Sequence, residues 1–299
     1  MNTNFTDSQK ELEVKLFAAM RPSKRKRAVR VITHPWKMLY PKFLKITKRN
    51  KEIKVQTFWG GGIKVILPED VSTNIWRYGS FEEDVCLYML RFLKEGMTFI
   101  DIGAHFGFFT LFGSYLVGKN GKILSFEPIP STYQQLQKNI VNYSNNSNVE
   151  IYNYAAFSEE TEVKFYDYGL ENSAYNSIFG LRKMNNSLIR KNEIIVKARR
   201  IDDVLREKEI KKVNVIKIDT ESSEIHVLKG MIETLSNYKP NIILEVGDFA
   251  INGVPKSKEI ITWLKKVNYL PYEIRNGEIV RHVVMSEHYK FSNLLFVSE

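Results

Sequence analysis

With a single cysteine, Cys86, the chain can form no intramolecular disulfide, and such sparing use fits a reducing compartment. It has no apolar run near the roughly 18 residues that a membrane-spanning helix needs. Its first twenty residues lack the continuous apolar core of a cleaved leader. These absences lead to the expectation of a cytoplasmic protein. Asn145-Asn146-Ser147 and Asn185-Asn186-Ser187 are then ordinary polar loop residues rather than glycan acceptors. No internal repeat is seen. What is present is a chain of 299 residues, 43% apolar. That is enough for one large α/β domain with extensions, or for two small domains.

Acidic charge is scarce at the amino-terminal end. Residues 1–54 hold 15 Lys and Arg against 4 acidic residues, a net +11, and the remaining 245 residues come to −1. The basic charge therefore belongs to an arm over residues 1–51. In "RPSKRKRAVR" (21–30) and "WKMLYPKFLKITKRNK" (36–51), bases interleave with Trp36, Leu39, Tyr40, Phe43, Leu44 and Ile46. The arm reads either as a solvated helical tail or as a segment that lies on an anionic surface such as phospholipid, acidic glycolipid or nucleic acid. Pro22, Pro35 and Pro41 argue against one long amphipathic helix.

A second region, residues 52–96, begins with alternating runs about a triple glycine in "IKVQTFWGGGIKVILPE" (53–69), the pattern of a β-hairpin. A helix is expected over 80–96, with Ser80 as its N-cap and Gly96 closing it. From 97 to 299, strands at 98–102, 122–126, 149–154, 213–218 and 241–246 alternate with helices at 108–117, 130–141, 222–236 and 257–267. Extended segments are also expected at 161–168, 193–201, 270–275 and 292–298. This alternation implies a mainly parallel, doubly wound sheet, and the last pair of extended segments supplies an antiparallel edge.

In such sheets ligands bind beyond the carboxyl ends of the strands. "FIDIGAHFGFFTL" (99–111) puts Asp101, Gly103, Ala104, His105 and Gly107 at one such end. The loop lacks the middle glycine of the dinucleotide fingerprint, and a carboxylate beside a diphosphate would repel it. S-adenosylmethionine, with an ammonium, a sulfonium and no phosphate, suits Asp101 better. Glu127, at the tip of the next strand, can accept hydrogen bonds from ribose hydroxyls. His105 is a candidate base, although its backbone is expected to matter more than its ring.

"VIKIDTESSEIHVLKG" (215–230) ends a strand at Asp219, with Ser222 a plausible N-cap and Glu221 and Glu224 around the first turn. Glu224 is equally well explained as an acid favoured by the helix dipole. "NIILEVGD" places Glu245 at the next strand tip, with Asp248 just beyond. His226 is expected to be structural. Acids clustered at strand tips can bind a divalent ion, but no spacing here demands one. Tyr166, Tyr168, Tyr175 and Phe179 belong to a segment that can reach over the site.

"FIDIGAHFGFFTL", "FEPIPSTYQQLQKN", "AAFS", "IKIDTESSEIHVLKG" and "PNIILEVG", all in order over residues 78–250, resemble the FkbM-type S-adenosylmethionine-dependent methyltransferases. The resemblance implies a class I, Rossmann-like methyltransferase fold and O-methylation of a small molecule or sugar. It also implies that Asp101, Gly103, Ala104 and Gly107 wrap the methionine end, that Glu127 takes the ribose, and that Asp219 faces the methyl-transfer site. The family pattern has a glycine where this chain has Ser222, which alters the freedom of that turn. For an alcohol acceptor, Glu221 or Glu245 is the expected base, with Asp219 positioning the acceptor or the donor amine. Two other readings compete: an RNA ribose methyltransferase using the basic arm, and an NAD(P)-dependent or non-catalytic cofactor-binding protein. Three acids in "DTESSE" disfavour a polyanion at the reaction centre.

Overall fold

The computed structural model describes residues 6–20, 33–144, 148–178, 192–248, 253–275, 277–285 and 288–299. The basic run 21–30, both Asn-x-Ser tripeptides and Phe179 lie outside, or partly outside, the described residues.

The described residues of the amino-terminal arm include two helices, α1 (Asp7–Met20) and α2 (Trp36–Thr47). They are followed by the expected hairpin, β1 (Lys51–Gln56) antiparallel to β2 (Gly62–Leu67). Two helices, α3 (Asp70–Tyr78) and α4 (Glu83–Phe92), lead into the sheet. α1 docks onto α4. Leu12 and Leu16 are buried, and Gln9 Nε2 donates to the Leu90 carbonyl at 2.7 Å. Burial of each leucine contributes about 2 kcal/mol. Pro41 does not stop α2. The Lys37 carbonyl, which its missing N–H would have met, instead accepts from Arg77 Nε at 3.3 Å. The helix expected over 80–96 is shorter than its pattern. It starts after Glu82, whose backbone is left-handed (φ +43), and buried Ser80 does not cap it.

The remaining elements are β3 (Thr98–Ile102), α5 (Phe108–Val117), β4 (Lys122–Phe126), α6 (Pro130–Tyr143), β5 (Val149–Tyr152), β6 (Ala155–Ala156), β7 (Thr161–Asp167), β8 (Asn192–Arg199), α7 (Ile201–Glu207), β9 (Val215–Ile218), α8 (Glu224–Lys229), α9 (Ile232–Tyr238), β10 (Asn241–Val246), α10 (Ser257–Lys266), β11 (Tyr269–Arg275), β12 (Glu278–Arg281) and β13 (Ser292–Ser298). Eight of the strands form one sheet in the order β12-β11-β13-β10-β9-β3-β4-β5. β10, β9, β3, β4 and β5 run parallel, and β13, β11 and β12 add the antiparallel edge. Alternate residues feed opposite layers, as the two-residue period of a strand requires. Phe99, Ile123, Val215 and Ile243 pack on the side of α4 and α5. Ile100, Leu124, Ile216 and Leu244 pack with α7, α8 and α10.

β6, β8 and β7 form a separate three-stranded sheet, so the strand expected over 149–154 ends at Tyr152 and the chain crosses over. The helix expected over 222–236 is two helices broken at Gly230. A Cβ at Gly230 would lie 1.9 Å from the Phe157 carbonyl oxygen, so this close approach demands glycine.

Candidate active site

Strand order reverses between β9 and β3, and their carboxyl ends open a crevice. Asp219 N donates to the Ile102 carbonyl at 3.1 Å and ties the two ends together. Gly103 sits at that junction with φ +80. A Cβ there would lie 1.8 Å from the Asp219 carbonyl oxygen, so only glycine lets the strands meet. A cavity of about 310 Å³ lies above the junction, lined by Gly103, Ala104, His105, Glu127, Asp219, Glu221 and Glu245 among others.

The glycine loop and Glu127 are a single unit. The Glu127 carboxylate accepts from His105 N at 2.9 Å and from Ile129 N at 3.0 Å, one bond on each oxygen. Each oxygen keeps a further lone pair for a ligand. Burial pushes the Glu127 carboxyl up to about 7 in spite of these bonds. His105 has left-handed backbone (φ +51), and its ring stacks on Phe106 at 4.0 Å. Its Nε2 lies 2.7 Å from Ser173 Oγ. Burial pulls the imidazole down to about 4, so His105 is neutral at physiological pH. Its backbone steadies Glu127, and its ring meets the 3₁₀ turn Leu170–Tyr175, which closes one side of the cavity. Tyr175 lines the wall. Tyr166 and Tyr168 do not.

Asp101 and Gly107 correct the expectation drawn from the loop. Asp101 is fully buried beneath it, accepting from Thr110 Oγ1 at 2.6 Å, and is absent from the cavity wall. Its Oδ1 has no hydrogen-bond partner among the described residues. Burial raises its carboxyl pKa, and the nearby Lys217 ammonium opposes that rise. Gly107, at φ +89, precedes α5 and packs near Leu136. It too stands behind the wall.

The acids beyond β9 and β10 do converge. Oxygens of Asp219, Glu221 and Glu245 lie within 4.8 Å of one another, a spacing that can also hold a metal ion. A lysine sits among them. Lys217 pairs in register with Asp101 on β3, and its Nζ lies 2.9 Å from Asp219 Oδ2 and 4.8 Å from the Phe109 ring centroid. Burial alone would lower the Lys217 ammonium, but Asp219, Asp101 and Glu82 hold it well above its ordinary value. Burial likewise works to raise Asp219, yet Lys217 and a hydrogen bond from Glu245 keep it below the usual carboxylate range. Glu245 is pushed well up by burial and by the Asp219 charge. The two carboxyls are thus driven in opposite directions, Asp219 toward its ionised form and Glu245 toward its protonated one.

Other sequence candidates have structural roles. Glu224 closes its own turn, accepting from Ser222 N at 3.0 Å and Thr220 N at 3.3 Å. Asp248 braces two loops through Ser257 N and Tyr289 N. The His226 ring stacks on Phe157 at 4.3 Å. Ser222 is not the N-cap of α8, a position held by Ser223. Ser222 takes φ +88 where the family pattern has glycine.

Sequence reasoning missed two wall residues, Lys217 and Glu82. A lysine inside the apolar run "VIKI" was a usable signal, since an unpaired ammonium is excluded from a buried strand. Glu82 carried none, because it reaches the site from the region before the sheet. Burial and the Asp219 charge push Glu82 up to about 8, and its Oε2 has no partner among the described residues.

The wall thus presents six carboxyl groups, Asp70, Glu82, Glu127, Asp219, Glu221 and Glu245, against one ammonium, Lys217. Burial holds Glu82, Glu127 and Glu245 toward their neutral forms in the empty cavity, and a cationic ligand, unlike a diphosphate, would be met by their ionisation together with Asp219 and Glu221. S-adenosylmethionine fits the cavity. Glu127 has acceptor capacity for the ribose, the backbone of Gly103–His105 faces the cavity, and the acids stand ready for the ammonium and sulfonium.

Residues 101–271 match the family model described as the methyltransferase FkbM domain. Over 211 residues, 64% of this chain and 83% of the relative, the chain is 27% identical to Methyltransferase 1 of Beauveria bassiana (strain ARSEF 2860). Among solved structures it is similar to methyltransferase FkbM from Methylobacillus flagellatus KT, at 15% identity and a TM-score of 0.41 over 77% of this chain and 56% of that one. It is also similar to an S-adenosylmethionine-dependent O-methyltransferase from Thermotoga maritima, at 11% identity and a TM-score of 0.40 over 85% and 80%. The fold is the class I, Rossmann-like methyltransferase fold, and the chain belongs to the FkbM family of S-adenosylmethionine-dependent methyltransferases.

Proposed function

We propose that the enzyme methylates a hydroxyl oxygen of a sugar, glycolipid or other small molecule in the cytoplasm. The observation that carries this reading is the convergence of Asp219, Glu221 and Glu245 at the cavity wall, with oxygens within 4.8 Å of one another, since a hydroxyl acceptor must give up a proton. When bound, S-adenosylmethionine would supply the methyl group from its sulfonium, the carbon–sulfur bond breaking as the carbon–oxygen bond forms and S-adenosylhomocysteine leaving as the neutral thioether. Asp219, kept ionised by Lys217, accepts the hydroxyl proton as the new carbon–oxygen bond forms. Neutral Glu245 donates to Asp219 and orients it, and Glu221 holds the acceptor from the same side. This assignment shifts the base from the glutamates expected from sequence to Asp219, because burial favours a protonated Glu245 while Lys217 favours an ionised Asp219.

Single-turnover rates on an acceptor found by screening a panel with labelled cofactor test the reading. Asp219→Asn is expected to lower the rate by about 10²-fold or more. Glu245→Gln, which can still donate a hydrogen bond, should keep much of it. S-adenosylhomocysteine should stabilise both variants against heat, which shows that their sites are assembled. An undiminished rate in Asp219→Asn would remove the base from this mechanism. An RNA ribose is the competing acceptor, motivated by the basic arm and disfavoured by the six wall acids.

A further inference from the structure

α2 buries one face and leaves much of the rest exposed, with Trp36 at the edge, packed edge-on against Trp76 at 5.2 Å. Pro41 and Leu44 point into the body, and Tyr40 lies against Trp76 with ring centroids 6.0 Å apart. At positions 36, 39, 43 and 46, spaced as one helical stripe, Trp36, Leu39, Phe43 and Ile46 are 50%, 61%, 54% and 81% exposed. With Met38, these make five of the thirteen large apolar side chains that are exposed among the described residues, gathered within eleven residues while the others are spread along the chain. Scattered exposure needs no explanation, whereas a contiguous stripe marks an interaction surface. Beside the stripe run exposed Lys42 and Lys45, and exposed Lys48, Arg49 and Lys51 follow at the helix end. Residues 33–51 contain six bases and no acid.

We propose that α2 docks the enzyme onto an anionic phospholipid bilayer, lying in the plane of the surface. The apolar stripe enters the boundary between headgroups and acyl chains, and the flanking lysines reach the phosphates, their stems covering apolar surface. Charge complementarity selects this occupant. A second copy of the chain would bring six bases against six bases. A nucleic acid would satisfy the bases but leave Leu39, Phe43 and Ile46 in water. The bilayer satisfies both faces at once. The surface adjoins the cavity: Lys45 Nζ is 2.9 Å from Asp70 Oδ1, and Asp70, whose Oδ2 accepts from Tyr175 OH at 2.8 Å, lines the wall. Docking through α2 therefore sets the mouth of the cavity close to the lipid. This inference stands apart from the identity of the methyl acceptor.

Co-sedimentation of the full chain with phosphatidylcholine vesicles, with and without phosphatidylglycerol, tests it. Binding is expected only with the anionic lipid, and it should weaken as salt rises. Lys42→Gln with Lys48→Gln should lower the partition coefficient about fivefold per lysine. The triple variant Leu39→Ser, Phe43→Ser, Ile46→Ser should lose binding at unchanged charge. Because these side chains are already exposed, its thermal shift with S-adenosylhomocysteine should match that of the parent, which separates lost docking from lost folding. Three results would overturn the proposal: no sedimentation of the parent with anionic vesicles, equal sedimentation of the triple variant, or vesicle binding absent while the parent self-associates or binds RNA through this helix.

Discussion

Two consecutive residues, Glu221 at φ +55 and Ser222 at φ +88, hold left-handed backbone at the head of the acid cluster. A side chain in that region costs about 1 kcal/mol relative to glycine. The turn keeps it because Glu224 takes the Ser222 and Thr220 N–H groups and locks the conformation. Ser222→Gly is therefore expected to stabilise the protein by about 0.5–1 kcal/mol, net of the entropy the unfolded chain gains. Calorimetry should register this as a melting temperature higher by about 2 °C. An unchanged or lower value would show that the turn is unstrained. At this scale the strand-tip acids Glu127, Asp219 and Glu245 were legible, because each follows an apolar run that ends in a carboxylate. Asp101 was legible as an acid but not in its direction. One residue of register decides whether a side chain faces the cavity or the layer beneath. Asp101 faces Thr110.

The helix Asp70–Tyr78 shows how elements escape a sequence reading. Its "DVSTNIWRY" is rich in β-branched and short polar residues and has low intrinsic helicity. It forms because Ile75 and Trp76 are buried and because Glu69 caps it, accepting from Val71 N at 2.9 Å and Ser72 N at 2.6 Å. Glu69→Ala would leave one buried and one half-buried donor unmet and is expected to cost about 2 kcal/mol, measurable as a lower urea midpoint. Since this helix supplies Asp70, Val71, Asn74 and Ile75 to the cavity wall, cofactor affinity should fall along with stability. A variant with unaltered midpoint and affinity would refute that dependence. The break at Gly230 was hidden for a related reason. Nothing within residues 222–236 announces that the Phe157 carbonyl passes 1.9 Å from where a Cβ would stand.

Across the whole molecule, burial raises several carboxyl groups together: Glu69 to about 7, Glu127 to about 7 and Glu82 to about 8, each from an ordinary value of 4.5. A folded state with raised carboxyl values binds more protons than the unfolded chain. Stability from these groups is therefore fully present below pH 4.5 and declines as pH rises through 7 to 8. Of these, Glu82 and Glu127 line the cavity, and a cationic ligand there favours their ionised forms, so its binding releases protons and strengthens over the same interval. The preference for S-adenosylmethionine over S-adenosylhomocysteine, which lacks the sulfonium charge, should accordingly grow between pH 5 and about 8. Isothermal titration at several pH values, in buffers of differing ionisation heat, measures both the affinity ratio and the proton release. A ratio independent of pH would mean that the acids do not sense the donor's charge.

By itself the sequence determined the alternation of strand and helix, the glycine loop, the acid at each strand tip and the segregation of basic charge into the arm. These are local patterns, set by periodicity and by residue chemistry that needs no distant partner. Only the tertiary structure decided that Lys217 and Glu82 join the site, that Asp101 turns away from it, and that Lys217 favours an ionised Asp219 while burial favours a protonated Glu245. Those outcomes depend on which groups lie a few ångströms apart in a medium of low dielectric constant. Residues as far apart in sequence as Glu82 and Glu245 acquire such neighbours only when the sheet is assembled.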